Sequence, residues 1–227
     1  MSKLVLFALG AVLALASPVF AAEELVTIGG GRAVLDKPAN ARAGIILVAG
    51  GDGNLGIGAD GQINRLRGNQ LIRTRGMYRA AGLAVLTVDI GVDLGAAVQY
   101  MRGIVRSVTL AGTSRGTLRI AQAVAGSARP DAVVFTAGFM QQVQGILGSP
   151  GALPRTLVVH HRLDGCRVTP PDAVEPFKQW GGGKVRVMWL TGGRDEGDPC
   201  QAGGHHGFSG LDGRVVGTVA GFAKGGG

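Results

Sequence analysis

Residues 107–125 read SVTLAGTSRGTLRIAQAVA, and this stretch decides the fold. Residues 107–111 are apolar and β-prone, as expected of a strand buried on both faces. Residues 115–125 carry their apolar side chains at helical spacing. Between them lies Gly112-Thr113-Ser114-Arg115-Gly116, a G-x-S-x-G pentapeptide joining strand to helix. With 41 glycines in 227 residues the pentapeptide alone is weak, and its setting gives it weight. A sharp strand-to-helix corner pushes a serine hydroxyl outward, and glycines two residues to either side permit close packing around it. The free N–H groups of the helix's first turn then favour negative charge developing beside that hydroxyl. The plain alternative is an ordinary strand–helix turn with a serine cap.

Working outward, continuous apolar runs at 44–49 (GIILVA), 83–88 (LAVLTV), 132–136 (AVVFT), 156–160 (TLVVH) and 185–190 (VRVMWL) read as further buried strands. Residues 25–28 and 32–35 flank Gly29-Gly30-Gly31 as a hairpin. Helical patterns fall at 69–81, ending at Gly82, and at 94–105, 171–180 and 213–222. A hairpin followed by repeated strand–helix units implies an α/β chain of three layers, a mostly parallel sheet with helices on both faces. No repeat or linker divides residues 22–227, which read as one domain.

A hydrophobic content of 46% and a mean hydropathy of +0.26 exclude a disordered chain. The formal charge of +8 raises affinity for anionic surfaces in general. Scattered arginines and 5% aromatics do not make a nucleic-acid footprint, so no nucleic-acid partner is expected. Residues 1–21 have the pattern of a signal peptide. Lys3 precedes a short apolar run, Ser17-Pro18 breaks it, and Val19 and Ala21 set up cleavage after Ala21. That predicts export to the periplasm or beyond. The run is too short to span a bilayer comfortably and no later segment replaces it, so stable membrane insertion is not expected. Two cysteines, Cys166 and Cys200, suggest one disulfide in an exported chain.

In element order and motif order the chain resembles the α/β-hydrolase superfamily over nearly all of residues 22–227. The resemblance implies a small serine hydrolase without a lid, using a nucleophile, an acid and a histidine in that chain order. Ser114 is then the nucleophile. Asp164, in His160-His161-Arg162-Leu163-Asp164-Gly165-Cys166 after the 156–160 strand, holds the acid position. Asp195 and Asp198 follow the last strand, where the superfamily places its histidine. There Gly203-Gly204-His205-His206-Gly207-Phe208 resembles the histidine loop of dienelactone-hydrolase-like members, which favours His206 as general base over its neighbour His205. The resemblance also implies an oxyanion site from the Arg115 N–H and an N–H in Gly50-Gly51-Asp52-Gly53, from Gly51 or Asp52. A Cys166–Cys200 bond would tie the acid loop to the histidine loop. Residues 137–155 leave little room for a lid, so an open, shallow site is expected, with 139–147 as a small partial cover. The expected ligand is a small ester-like molecule, with no cofactor and no metal, and the expected state is a monomer.

Three rival readings remain at this stage. Gly51-Asp52-Gly53-Asn54-Leu55-Gly56 matches the dinucleotide pattern G-x-G-x-x-G, with Asp89 at the end of the next strand. Residues 57–61, however, prolong the loop where that pattern requires a helix to open. The four histidines, in two adjacent pairs near aspartates and cysteines, suggest metal binding, but neighbours on an extended chain point to opposite sides. A hydrolase-like protein that binds without catalysis is the third.

Overall fold

The alternating burial of the central strands organises the fold. In β3 (Ala43–Val48) every residue is buried. Ile46 and Val48 pack to one side of the sheet while Ile45 and Leu47 pack to the other. A strand with two apolar faces needs a helix layer on each side, and the chain supplies both. The computed structural model describes residues 23–226, so the signal-peptide reading of residues 1–21 lies outside the described residues.

A hairpin of β1 (Glu24–Ile28) and β2 (Gly31–Asp36) opens the sheet, turning through Gly29 and Gly30 at positive φ. The remaining strands are β4 (Ala84–Val88), β5 (Ser107–Thr113), β6 (Ala132–Thr136), β7 (Arg155–His161) and β8 (Val185–Leu190). The eight strands lie in the order β1-β2-β4-β3-β5-β6-β7-β8. β2 pairs antiparallel with β1 and β4, and every other pair is parallel.

Helices α3 (Leu94–Arg102), α4 (Gly116–Ala125), α5 (Met140–Leu147) and α6 (Val174–Gly181) bury Val98, Ile120, Val143 and Phe177 in the core that holds Ile46 and Val48. On the opposite face, α1 (Gln70–Arg73), α2 (Arg75–Ala80) and α7 (Asp212–Ala223) bury Leu71, Tyr78 and Val219 against Ile45 and Leu47. The three-layer expectation holds. From β3 the chain crosses first to β4 and then, in the other direction, to β5. The site of such a reversal, at the carboxyl ends of the strands, is where open α/β sheets bind ligands.

Two elements differ from the sequence reading. The helix expected over 69–81 is broken at Thr74 into α1 and α2. The Thr74 hydroxyl donates back to the Gln70 carbonyl at 2.7 Å, a bond that bends helices, and Thr74 itself lies at φ −100°, ψ 3°. Residues 139–147, expected to cover the site, instead form α5, which buries Met140, Val143 and Leu147 in the core beside α4. Only Phe139, just before the helix, reaches the cavity.

Candidate active site

Ser114 sits on the corner between β5 and α4 with φ at +51°, in the left-handed region that non-glycine residues rarely adopt. The corner is held from both sides. Ser114 N–H donates to the Thr136 carbonyl of β6 at 2.9 Å, and the Ser114 carbonyl accepts from Thr117 N–H and Oγ1. The neighbouring glycines are steric necessities. A Cβ on Gly116 would lie 2.3 Å from the Val48 carbonyl oxygen, and one on Gly50 would lie 2.9 Å from Ser114 Cβ.

That second contact shows how closely the loop after β3 passes the serine. The loop has its own small core of Leu55, Ile57 and Ile63 packed on Val34, Ala49 and Ile72. Asp89, at the end of β4, accepts hydrogen bonds from Leu55 N–H at 2.8 Å and Ile57 N–H at 3.1 Å, while Arg32 donates to the Ile57 carbonyl. The Asp89 carboxylate is thus committed to backbone, and no helix begins at Gly56, so the dinucleotide pattern has neither its acid nor its helix terminus.

Asp164 follows β7 in a tight turn and is buried. Its Oδ1 accepts from Cys166 N–H at 2.9 Å. Its Oδ2 faces His206 Nδ1 at 3.0 Å, Thr169 Oγ1 at 3.2 Å and His160 Nε2 at 3.3 Å. Burial alone would raise its pKa, but the hydrogen bonds from His160 and His206, with the Cys166 N–H, outweigh burial and hold the carboxyl well below its ordinary value. An ionised carboxylate only accepts, so His206 carries its proton on Nδ1 and turns Nε2 away from the acid. Thr169 bridges the pair, with its hydroxyl on Oδ2 and 3.1 Å from His206 Nδ1.

His206 lies in a 3-10 turn, His205–Gly207, that Phe208 ends at φ 56°. The structure separates the adjacent histidines by task. His205 Nδ1 contacts the Leu163 carbonyl at 3.1 Å, and its ring stacks on His161 at 4.0 Å. His161 in turn receives Leu163 N–H on Nδ1 and faces the Gly192 carbonyl with Nε2. Burial holds the His161 pKa below the ordinary imidazole value, consistent with that neutral arrangement. Each sequence pair is therefore split, with His160 and His206 on the acid and His161 and His205 stacked together. Among the described residues no group of three or more His, Cys, Asp and Glu side chains is placed to hold a metal ion, and no helix is long and apolar enough to cross a membrane.

Ser114, His206, Gly51 and Arg115 all line one cavity of about 310 Å³, together with Asn69, Gln70, Phe139, Val168, Gln201 and both cysteines. Ser114 Oγ and His206 Nε2 have no hydrogen bond to each other or to another described residue, so both remain available at the cavity. Unliganded sites of this kind commonly tighten only around substrate. The backbone N–H groups of Gly51 and Arg115 also donate to no other backbone group. Asp52, the other candidate for the first oxyanion donor, does not line this cavity. It is exposed, accepts from Asn54 N–H and pairs with Arg65 at 2.7 Å. A Cys166–Cys200 disulfide joins the acid loop to the histidine loop. Thr169, His160 and Gln70 escaped the sequence reading. Only the spacing of His160, four residues before Asp164, offered a signal.

No family model matches the chain, and no curated protein matches its sequence. Solved structures do match in shape. An esterase from Pyrococcus furiosus superposes with a TM-score of 0.64 at 12% identity, covering 94% of this chain and 95% of that one. An alpha-beta serine hydrolase homologue from Coxiella burnetii gives 0.60 at 15%, covering 90% and 98%. A dienelactone hydrolase from Anabaena variabilis gives 0.59 at 15%, covering 88% and 94%. The chain has the α/β-hydrolase fold.

Proposed function

We propose that this protein is a serine hydrolase that cleaves ester-like bonds by acyl transfer, with Ser114 as nucleophile, His206 as general base and Asp164 orienting the imidazole. One observation carries the reading. A serine held at φ +51° on a strand–helix corner shares a cavity with a histidine whose far nitrogen is fixed on a buried carboxylate. The fold neighbours, described as an esterase, a serine hydrolase homologue and a dienelactone hydrolase, support the same chemistry.

His206 Nε2 takes the Ser114 proton as Oγ bonds to the substrate carbonyl carbon. The oxyanion so formed points at the N–H groups of Gly51 and Arg115, with the α4 terminus behind them. Asp164 stabilises the imidazolium, which then gives its proton to the departing alkoxide. Water, deprotonated by His206, attacks the acyl-enzyme and releases the acid. The small cavity without a lid suits short acyl groups. We further propose that residues 1–21 direct export and that the protein works as a monomer.

The test is a series of 4-nitrophenyl esters of rising acyl length, run on wild type and Ser114→Ala. Short esters should be hydrolysed, with kcat/KM about 10³-fold lower or worse in the variant. Equal rates in both proteins would end the hydrolase reading. A fluorophosphonate should label wild type and leave Ser114→Ala unlabelled. Absence of label on wild type would return the protein to the non-catalytic binding class.

A further inference from the structure

The charge around the candidate site is one-sided. Among the described residues no aspartate or glutamate lines the cavity. The acids nearest in the chain are already committed. Asp164 lies behind His206 with both oxygens engaged, and Asp52 is turned outward onto Arg65. Arg115 is the permanent charge on the wall, one residue from the nucleophile. Its side chain is exposed, and its guanidinium has no hydrogen bond or ion pair among the described residues. Arg73 and Arg119, by contrast, spend their donors on carbonyls or carboxylates. Arg115 also caps α4, whose first turn has no side-chain cap and no acid, so the positive end of that helix adds to the same field.

The rest of the lining adds no negative charge. Leu66, Phe139 and Val168 supply an apolar wall for a short carbon skeleton. At about 310 Å³ the space is at the small end for ligand pockets.

Granting the serine-hydrolase reading on which this rests, we infer that the natural substrate is a small ester-like molecule carrying an anionic group, a carboxylate or a phosphate, close to the scissile bond, and that the Arg115 guanidinium receives that group. A planar guanidinium matches the paired oxygens of either anion. Substrate binding would place the anion beside a free cation and a helix N-terminus, whereas a neutral chain would leave that cation without a partner. The guanidinium acts on binding and orientation, and the Arg115 backbone N–H keeps its separate task toward the oxyanion.

The experiment compares 4-acetoxybenzoate, 4-acetoxyphenyl phosphate and the neutral 4-acetoxybenzamide, each normalised to its spontaneous hydrolysis. Wild type should favour at least one anionic ester by about tenfold or more in kcat/KM, and the preference should shrink with added salt. Which anion is favoured identifies the group. The readout in Arg115→Gln is the ratio of charged to neutral kcat/KM, so a general loss of activity cancels. That ratio should fall close to one, and Arg115→Lys should retain part of it. Equal or better turnover of the amide by wild type, or an undiminished ratio in Arg115→Gln, would overturn the inference. If a fluorophosphonate labels Ser114 but none of the three esters is turned over, the inference falls and the hydrolase reading stands. If Ser114 is not labelled, both fall.

Discussion

Ser114 carries both the strain and the proposed chemistry of the site, and the two can be separated. A non-glycine residue at φ +51° costs on the order of 1 kcal/mol, a cost that glycine escapes. Ser114→Gly should therefore gain about 1 kcal/mol in urea unfolding while abolishing ester hydrolysis, and Ser114→Ala should abolish hydrolysis with no such gain. A stability loss in Ser114→Gly would show that the corner is not strained. Asp164 makes a prediction about pH. Its folded pKa lies below the unfolded value of 3.8, so the folded state binds this proton less readily than the unfolded chain. The stabilisation is complete above the unfolded value and is lost as pH falls from there toward the folded one. Urea midpoints should thus fall more steeply below pH 4 in wild type than in Asp164→Asn, and parallel curves would reject this role. The sequence shows Ser114 because its signal is local, a motif within one corner. It names Asp164 and His206 through their places after particular strands. Thr169 reaches the acid through the turn after β7, which no sequence pattern marks, and His160 is hinted at only by its place four residues before Asp164.

Among the elements, the loop after β3 depends most on a distant residue. Asp89 holds Leu55 and Ile57 by their N–H groups, and that clasp sets the path of the chain that begins at Gly51. Asp89→Ala removes the acceptor of three backbone donors, Leu55, Ile57 and the exposed Ile90, and should cost about 2–3 kcal/mol in stability. It should also lower kcat more than it raises KM if Gly51 is the proposed oxyanion donor, which acts in the transition state. Unchanged kcat with full folding would separate this loop from catalysis. The strands were legible because two-sided burial forces unbroken apolar runs. The helix break at Thr74 was not, because TRGMYRAA keeps helical spacing and the break arises from a single hydroxyl returning to Gln70. The cover expected over 139–147 failed for a related reason. An amphipathic segment reads alike whether it seals a core or a cleft.

Across the whole molecule, two long-range ties hold the histidine loop, one to the acid loop and one to α1. The disulfide closes a 34-residue separation, and chain entropy assigns such a closure about 4 kcal/mol. Replacing both cysteines by serine should lower unfolding stability by about 3–4 kcal/mol, and dithiothreitol should do the same to wild type. A loss under 1 kcal/mol would mean that the loops hold without the bond. Arg73 makes the second tie, gripping Asp212 of α7 with two nitrogens while donating to the carbonyls of Gly207 and Gly68. Sequence pattern predicted the disulfide but gave no hint of the arginine, whose partners lie up to 139 residues away.

The pairing of β3 with β5 runs in register from Ala43 opposite Ser107 to Val48 opposite Gly112, at the middle of the sheet. The corner that carries Ser114 and the loop that carries Gly51 leave from the ends of these two strands, the best-insulated part of the sheet. Disturbance at the β1 edge has to cross β2, β4 and β3 before it reaches the strand that carries the serine, whereas β8 at the other margin leads straight into the histidine loop. The β1 edge is therefore the place to graft a surface anchor or a fused partner with least disturbance to the proposed site.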